Sequence, residues 1–454
     1  MFLILFSVLL LAANIYCLYK KKYLYLFIPC MLFLPEYYGL ELSEKLPIIT
    51  VTRIMFVIFY IYAFINRKRN LSVKEVNIKA LPKEYLLFAG YFFFRIVANL
   101  YYITTYGQAA KTILSVIFEQ FFFLIAVYML DPDQKEINTL LKVLVWSATV
   151  LFFLGVLESF TFVRPFDQLY TVSRDMLNIY YVRLGLLRST TTMAIPNRFG
   201  NMCVMVLPMI LYLYESTGKK LYFLSLFLNV MAIIHSGCRS DMIFFVAICF
   251  IYFVWVIRTR NRRKDFLIHS CILVLTVVVF AGALSFASKE AGYYYSGTVK
   301  SLLNEVGFNY DLSEDAPSEG SGYGNNQSGG SVSRIRQFTG IEYALSQNPL
   351  FGLGSGAQVR KQVKYFMFGD WYEVPTIDVG LVEILMTEGI TGFIGYCCLI
   401  LAVIIVLIRK KTCPSQRFCS LLAFSYLLCT LSTANMPEFM MVITMIILFP
   451  QTDH

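Results

Sequence analysis

The chain has few of the residues on which soluble enzymes rely. Of its 454 residues only 15% are charged, and three are histidine. So few charged side chains cannot cover a soluble surface of this size, which excludes an ordinary soluble globular protein. The 11 cysteines form no CxxC pair and no Cys/His cluster with metal spacing, so no metal site is predicted. P-loop, Gly-x-Ser-x-Gly and His-Glu-x-x-His patterns are missing too, and with them the commonest nucleotide-binding and hydrolase motifs.

Long apolar runs are what the chain has instead. Hydrophobic residues make up 57% of it, and the mean hydropathy is +0.62. Many runs approach the roughly 20 residues that a bilayer crossing needs. We therefore predict an all-α polytopic membrane protein with about 12–13 transmembrane helices. The predicted spans are 2–18, 23–39, 48–66, 84–104, 110–130, 137–158, 197–215, 220–237, 241–257, 266–287, 389–408, 416–433 and 437–450.

The net charge of +10 is concentrated in short loops between these runs. This distribution is the positive-inside signature of a multispan protein, and it argues against a nucleic-acid partner. The basic loops lie at 20–22, 67–69, 219–220, 258–264 and 409–411. Placing them in the cytoplasm puts 159–196, 235–240 and 288–388 together on the outer side.

The same pattern predicts three parts of the chain. Residues 1–287 form a transmembrane helix bundle, 288–388 form a large outer loop that re-enters the membrane, and 389–454 form C-terminal transmembrane helices. The centre of the loop reads "NYDLSEDAPSEGSGYGNNQSGGSVS", acidic at first and then rich in Gly, Ser and Asn. This composition is typical of a mobile loop.

Four arginines, Arg188, Arg239, Arg334 and Arg336, fall on the predicted outer side, where the positive-inside rule disfavours them. Guanidinium groups suit phosphate, and the phosphate of a lipid-linked substrate lies at this depth. Snorkelling, or local ion pairs with the nearby acidic residues Asp241 and Glu342, is the alternative explanation.

Carboxylates at the membrane edge are the second group of candidates. Asp378 precedes the apolar run "VGLVEILMTEGITG", as either a helix cap or a general base, and Glu383 and Glu388 follow within that run. Gly389 and Gly392 form a GxxG pattern, which usually indicates close helix packing.

Two further polar motifs have local explanations. Asn197 lies in "PNRFGN" at a predicted helix start, where capping is the simplest interpretation. "DPD" at 131–133 is a weak match to the Asp-x-Asp of metal-dependent sugar transferases, and His235 and His269 are too isolated to indicate a metal.

Taken together, "SGCRSDM", "SRIRQF…ALSQNPLFGLGSG" and "DVGLVEILMTEGITG" resemble the O-antigen ligase and O-antigen polymerase superfamily of bacterial membrane glycosyltransferases. "RSTTTMAIPNRFGNM" resembles the segment before the middle spans of the same family. The similarity covers roughly residues 180–410. It implies a GT-C-like fold in the inner membrane with an active site that faces the periplasm.

The resemblance also implies roles for individual residues. The donor is a glycan on undecaprenyl pyrophosphate, held by Arg239 and by Arg336 or Arg334. Ligases of the family carry His-Asn nine residues before GxxG, and here those positions are Asp378 and Val379. Aspartate at this place resembles the polymerase branch. The predicted catalytic residues are thus Asp378, Arg336 and Arg239, and the predicted substrate-binding residues are Arg188, Arg334, Asn197, Glu383 and Glu388.

The predicted function is polymerisation of lipid-linked polysaccharide repeat units, without metal or other cofactor. The predicted partners are the undecaprenyl-pyrophosphate-linked oligosaccharide, the bilayer and a chain-length regulator. Two alternatives stay open: ligation of the glycan to lipid A core or protein, and export of the lipid-linked oligosaccharide.

Overall fold

The computed structural model describes residues 2–20, 24–43, 46–68, 83–172, 174–257, 260–305, 307–312, 335–367, 369–373, 377, 379–408 and 414–432. Arg334, Asp378 and the predicted span 437–450 lie outside the described residues, as does most of the predicted mobile loop. The chain divides into two compact units. Unit 1 comprises Met1–Val143, Leu169–Val172 and Ser333–His454, and unit 2 comprises Leu144–Gln168 and Ser173–Val332. The predicted division at residues 287 and 388 stays a prediction.

Unit 1 is built mainly from helices, with two short antiparallel hairpins. Its elements are α1 (Phe2–Tyr19), α2 (Leu24–Phe33), β1 (Gly39–Leu40), β2 (Ile49–Thr50), α3 (Val51–Ile65), α4 (Lys83–Leu100), α5 (Gly107–Ser115), a π-helical turn (Val116–Phe121), α6 (Phe122–Leu130), the start of α7 (Gln134–Thr161), α13 (Thr339–Gln347), β5 (Lys364–Met367), β6 (Asp370–Glu373), α14 (Gly380–Ile408) and α15 (Pro414–Ser432). Helix α14 packs on α4, α13 and α15, while α3 packs on α6. Strand β1 pairs with β2, and β5 pairs with β6.

Unit 2 contains the rest of α7 and the middle helices. Its elements are short 3₁₀ turns at Asp167–Leu169 and Asp175–Asn178, the hairpin β3 (Val182–Arg183) and β4 (Leu186–Leu187), and the helices α8 (Pro196–Thr217), α9 (Leu221–Ser236), α10 (Arg239–Ile251) with a π-helical turn (Tyr252–Val256), α11 (Arg260–Ala287) and α12 (Lys289–Glu305). Helix α8 packs on α9 and α10, and α11 packs on α9 and α12.

The helices confirm the predicted all-α polytopic class. Within the described residues, six helical segments are long and apolar enough to cross a membrane. They are Phe2–Tyr19, Gly107–Leu130, Lys135–Thr161, Pro196–Thr217, Arg260–Ala287 and Gly380–Ile408. Shorter apolar helices lie at Val51–Ile65 and Leu221–Ser236. Each of the twelve predicted spans from 2–18 to 416–433 contains a helix.

One predicted boundary was wrong. The span predicted at 23–39 is helical only over Leu24–Phe33, and the chain then turns into strand β1. Ten residues of helix extend only about 15 Å, half of a bilayer core, and Pro35 cannot continue the helix ladder. The span predicted to begin at 389 starts at the kink in α14, where Gly389 has non-helical φ and ψ, and the predicted membrane-entering segment before it is also helical, from Gly380.

Local turn chemistry sets several helix ends. Asp133 and Glu136 form a reciprocal capping box before α7, with hydrogen bonds of 2.7 and 3.0 Å between each backbone N–H and the partner's carboxylate. Asp131 ends α6 in the left-handed conformation. The "DPD" motif therefore has a structural explanation in the two helix ends that it joins.

Candidate functional site

A tight hairpin brings Arg183 into the centre of unit 2. Val182 pairs with Leu187 and Arg183 with Leu186. Between them Leu184 and Gly185 have φ values of 48° and 82°, the positive values that a two-residue hairpin turn needs. Arg183 then donates from Nη1 to the carbonyl of Gly237 at 2.6 Å and from Nη2 to Ser301 Oγ at 3.1 Å.

Arg188, just beyond the hairpin, binds the same turn between α9 and α10. Its Nε donates to the carbonyl of Ser236 at 2.9 Å, and its Nη2 lies 3.0 Å from Cys238 Sγ and 3.2 Å from Asn197 Oδ1. The helix α8 begins at Pro196 as predicted, but its N-cap is Ile195 and no side chain caps it. The capping interpretation of Asn197 was therefore wrong: its side chain accepts hydrogen bonds from Arg188 and Cys238 instead.

Arg239 completes the group from the first position of α10. Its Nη1 donates to Ser301 Oγ at 3.3 Å, so one buried hydroxyl of α12 accepts from both Arg183 and Arg239. We call Arg183, Arg188 and Arg239 the arginine cluster. Two of its members were predicted from the sequence, and the structure brings them together with Asn197 within unit 2.

The cluster concentrates positive charge. Burial, together with the neighbouring charges of Arg239 and Arg188, lowers the pKa of Arg183 to about 10. Among the described residues, neither Arg183 nor Arg188 has a carboxylate within ion-pair distance. Like charges held together in a partly buried place favour the binding of an anion, and guanidinium forks suit a phosphate. The partial positive charge at the N-terminus of α10 also favours an anion.

A buried network supports the turn that carries these contacts. His235, with 0% exposure, lies 2.9 Å through Nδ1 from Ser159 Oγ and 2.9 Å through Nε2 from the hydroxyl of Tyr295, and it stacks on Tyr294. Nearby, the carboxylate of Glu158 accepts from the backbone and hydroxyl of Thr190 and from the backbone of Thr191. These contacts fix the ends of α7 and α9 beside the cluster.

The remaining candidates that the structure describes belong to unit 1. Arg336 lies one turn before α13, where its carbonyl accepts from Thr339 Oγ1 at 2.7 Å. Glu383 is half-buried in the first turn of α14. The roles of Arg336 and Glu383 in substrate binding or catalysis stay predictions, as do those of Arg334 and Asp378.

Glu388 already has a partner inside unit 1. Both of its carboxylate oxygens accept from Arg95 of α4, at 2.8 to 3.2 Å, and the two side chains are 3% and 5% exposed. Asn99 donates to the same carboxylate at 3.3 Å and accepts from Ser355 Oγ through its own amide oxygen. This ion pair gives Glu388 a structural role, and its predicted role in substrate binding stays untested.

The segment "NPLFGLGSG" docks on a kink in α14. Gly389 has φ 62°, which breaks the helix ladder at that point. The loop replaces the missing bonds: Ile390 N–H donates to the carbonyl of Pro349 at 3.0 Å and Thr391 N–H to that of Leu350 at 3.0 Å. A Cβ on Gly389 would lie 2.6 Å from the backbone of Gly352 and Leu350. The GxxG pattern thus marks close packing, as predicted, and here the partner is a loop.

Sequence reasoning missed three residues of these sites: Arg183, Ser301 and Arg95. Arg183 had a usable signal, since "VRLGLLR" places two arginines on either side of a hairpin turn. Ser301 and Arg95 had none, because their partners lie 118 and 293 residues away along the chain.

Comparison with known proteins agrees with the motifs. Residues 224–397 match the family model described as O-antigen ligase. No curated protein matches the chain. The match confirms the predicted resemblance to the O-antigen ligase and polymerase superfamily, and it does not distinguish the polymerase branch.

The matched segment contains Arg239, Ser301 and the ion-paired Glu388, whereas Arg183 and Arg188 precede it. The family implies a glycosyltransferase-like enzyme that acts on a lipid-linked oligosaccharide. Together with the apolar helices, the match supports a multi-pass membrane protein.

Proposed function

We propose that this protein polymerises the repeat units of a surface polysaccharide at the outer face of the inner membrane. It transfers a growing glycan from undecaprenyl pyrophosphate to a sugar hydroxyl of another lipid-linked unit, with inversion. The observation that carries the proposal is the arginine cluster, in which three guanidinium groups surround one turn and the hydroxyl of Ser301. A pyrophosphate is the anion that such a set suits, and the family acts on lipid-linked glycans.

The chemistry needs little beyond this charge. The anomeric carbon is already bonded to pyrophosphate, a good leaving group. The acceptor oxygen attacks that carbon, its proton passes to a carboxylate base, and the bond from carbon to phosphate oxygen breaks. Negative charge then grows on the departing pyrophosphate, where the arginine cluster stabilises it. Arginine charges take the role that a metal ion has in many transferases, so the proposed reaction uses no metal.

Asp378 is the proposed base, because it occupies the place of the family's histidine and precedes α14. Arg336 is proposed to bind the pyrophosphate as well. The test is Arg336→Ala in protein that still inserts and accumulates normally. Unchanged polymer length would remove Arg336 from the mechanism.

Ligation is the second candidate, since the matched family model is described as O-antigen ligase. The polymerase and the ligase differ in the acceptor, which is another lipid-linked unit for one and lipid A core or protein for the other. Asp378, in place of the histidine of ligases, favours the polymerase.

Deletion of the gene separates these functions. The glycan that is left on undecaprenyl pyrophosphate is extracted and sized. Single repeat units without a ladder support the polymerase. Full-length polymer stranded on the carrier supports the ligase, and Asp378 then needs another role. A pure exporter is excluded if purified protein elongates lipid-linked units in detergent, where no membrane gradient exists.

A further inference from the structure

The hairpin of β5 and β6 in unit 1 presents aromatic rings on one face. In its register Phe366 lies opposite Trp371, and Lys364 lies opposite Glu373. Because side chains alternate along a strand, these four project from the same face. Phe366 is 44% exposed and Trp371 is 37% exposed, with their ring centroids 5.5 Å apart. We call Phe366 and Trp371, with Tyr343 of α13 at 5.4 Å from the Trp371 ring, the aromatic platform.

The opposite face of the hairpin holds the platform in place. Tyr365, 3% exposed, packs in a core with Val382 and Met386 of α14 and Ala344 of α13. Thr339 of α13 accepts a 2.9 Å hydrogen bond from the backbone N–H of Phe366. The hairpin is therefore held against the helices of unit 1, and this packing leaves the rings of Phe366 and Trp371 exposed.

The edges of the platform are polar. All four residues of β6, Asp370 to Glu373, are exposed, and Glu373 projects from the same face as Trp371. Lys364 Nζ lies 5.7 Å from the centre of the Tyr343 ring. Among the described residues, the indole N–H of Trp371 has no acceptor, so it is a free donor beside an exposed ring.

We propose that the aromatic platform binds a sugar chain, namely the acceptor glycan. The ring faces carry negative charge density and attract the C–H face of a pyranose, while the Glu373 carboxylate and the indole N–H meet its hydroxyl groups. Seating the same rings in a bilayer would draw Lys364 and Glu373 toward the lipid, which is costly for charged groups. A glycan satisfies both the rings and the charges.

This inference rests on the proposed function for the identity of the acceptor. The platform is close to the proposed base along the chain. Four residues lie between Glu373 and Asp378, so even a fully extended chain would place their Cα atoms at most about 18 Å apart. A sugar chain on the platform can therefore extend a terminal hydroxyl toward the start of α14, where the proposed transfer occurs.

Direct binding is testable because the chain has three tryptophans, Trp146, Trp255 and Trp371. The double variant Trp146→Phe/Trp255→Phe leaves Trp371 as the reporter in the full-length protein in nanodiscs. The probe is soluble oligosaccharide of two or more repeat units, released by mild acid from the organism's own surface polysaccharide. We expect a saturable change in Trp371 emission, weakened roughly two- to ten-fold by Phe366→Ala, the range of one aromatic contact.

The control is Phe308→Ala, which removes another exposed aromatic from unit 2 and should leave the affinity unchanged. Emission that does not respond to the oligosaccharide at any concentration overturns the proposal. So does strong quenching of Trp371 by brominated lipids in the nanodisc, because the platform would then lie in the membrane.

A parallel assay of chain elongation separates this inference from the proposed function. If the reporter protein binds the oligosaccharide but does not elongate lipid-linked units, the platform proposal stands and the polymerase proposal is contradicted. Elongation without binding contradicts the platform alone. When both hold, Trp371→Ala should shorten the polymer while Trp371→Phe, which keeps a ring, restores most of its length.

Discussion

Arginine side chains in the two units have opposite surroundings: Arg95 of unit 1 is buried, and Arg183 and Arg188 of unit 2 are partly buried. In unit 1 the guanidinium of Arg95 reaches both oxygens of Glu388, and the pair is almost fully enclosed. In unit 2 Arg183 and Arg188 donate to backbone carbonyls, a hydroxyl, an amide oxygen and a thiol, with no carboxylate in ion-pair distance among the described residues. The charge of Arg95 is neutralised by its partner, whereas we propose that Arg183 and Arg188 serve an anionic ligand.

The comparison shows that a charged residue in an apolar chain can be assigned a role only when its partner is known. Intramembrane ionisable residues are functional candidates by default, and on that ground the sequence put Glu388 among the substrate-binding residues. The contact with Arg95 supplies a structural reason for the same carboxylate. Arg183, which drew no attention in the sequence, lies where positive charge is left uncompensated.

The largest effect is expected from Arg95→Ala. The substitution leaves the Glu388 carboxylate buried without its counter-charge, which costs roughly 3–5 kcal/mol of folding free energy. We expect poor accumulation in the membrane and a much lower midpoint of thermal unfolding in detergent. In the double variant Arg95→Ala/Glu388→Ala no charge is stranded, so part of the stability should return. A double variant as unstable as the single one would show that the ion pair is not the cause.

Arg183→Ala tests the other side of the contrast. Here we expect normal accumulation and a loss of glycan transfer, with kcat/KM lower by about 10²- to 10³-fold, as when one donor to a developing anion is removed. Elongation of purified lipid-linked units, normalised to the protein present, is the measurement. Arg183→Lys should recover little, because an ammonium cannot reach both Gly237 and Ser301 as the fork does.

The matched control is Arg262→Ala in the first turn of α11. Arg262 pairs with Glu215 and is 60% exposed, so its removal should change neither transfer nor stability measurably. Equal losses of activity in Arg183→Ala and Arg262→Ala would indicate a general effect of removing arginine. The arginine cluster would then have no specific role in glycan transfer.

Gly389→Ala addresses the kink beside Glu388. The backbone there has φ 62°, and the added Cβ would lie 2.6 Å from the backbone of Gly352 and Leu350. We expect a loss of roughly 1–3 kcal/mol, seen as a lower thermal midpoint in detergent. Gly282→Ala is the control, since a Cβ at that helical position meets nothing within 4 Å and should be neutral or slightly stabilising. An unchanged midpoint for Gly389→Ala would mean that the loop and the kink do not depend on each other.

Features set by residues close together in the chain could be predicted from the sequence, whereas contacts between residues far apart in the chain could not. Apolar runs gave the helices, and Pro196 gave the start of α8, because these signals are local. The motif "NPLFGLGSG" and the GxxG pattern were noticed as a pair, but that Gly389 lacks helical φ and needs Pro349 and Leu350 as acceptors is visible only in the fold. Residues paired across more than a hundred positions, such as Arg183 with Ser301, leave no periodic trace in one sequence.

The smallest effect, and the sharpest test of the cluster as a unit, is expected from Ser301→Ala. The Ser301 hydroxyl accepts from Arg183 at 3.1 Å and from Arg239 at 3.3 Å, so it aligns two guanidinium groups without neutralising either. Losing one such acceptor is worth about 1 kcal/mol, which corresponds to roughly a five-fold lower kcat/KM for glycan transfer. Ser301→Thr keeps the hydroxyl and should restore the rate. If Ser301→Ala is instead as damaging as Arg183→Ala, the hydroxyl itself contacts the substrate, and the charge of the cluster accounts for only part of the site.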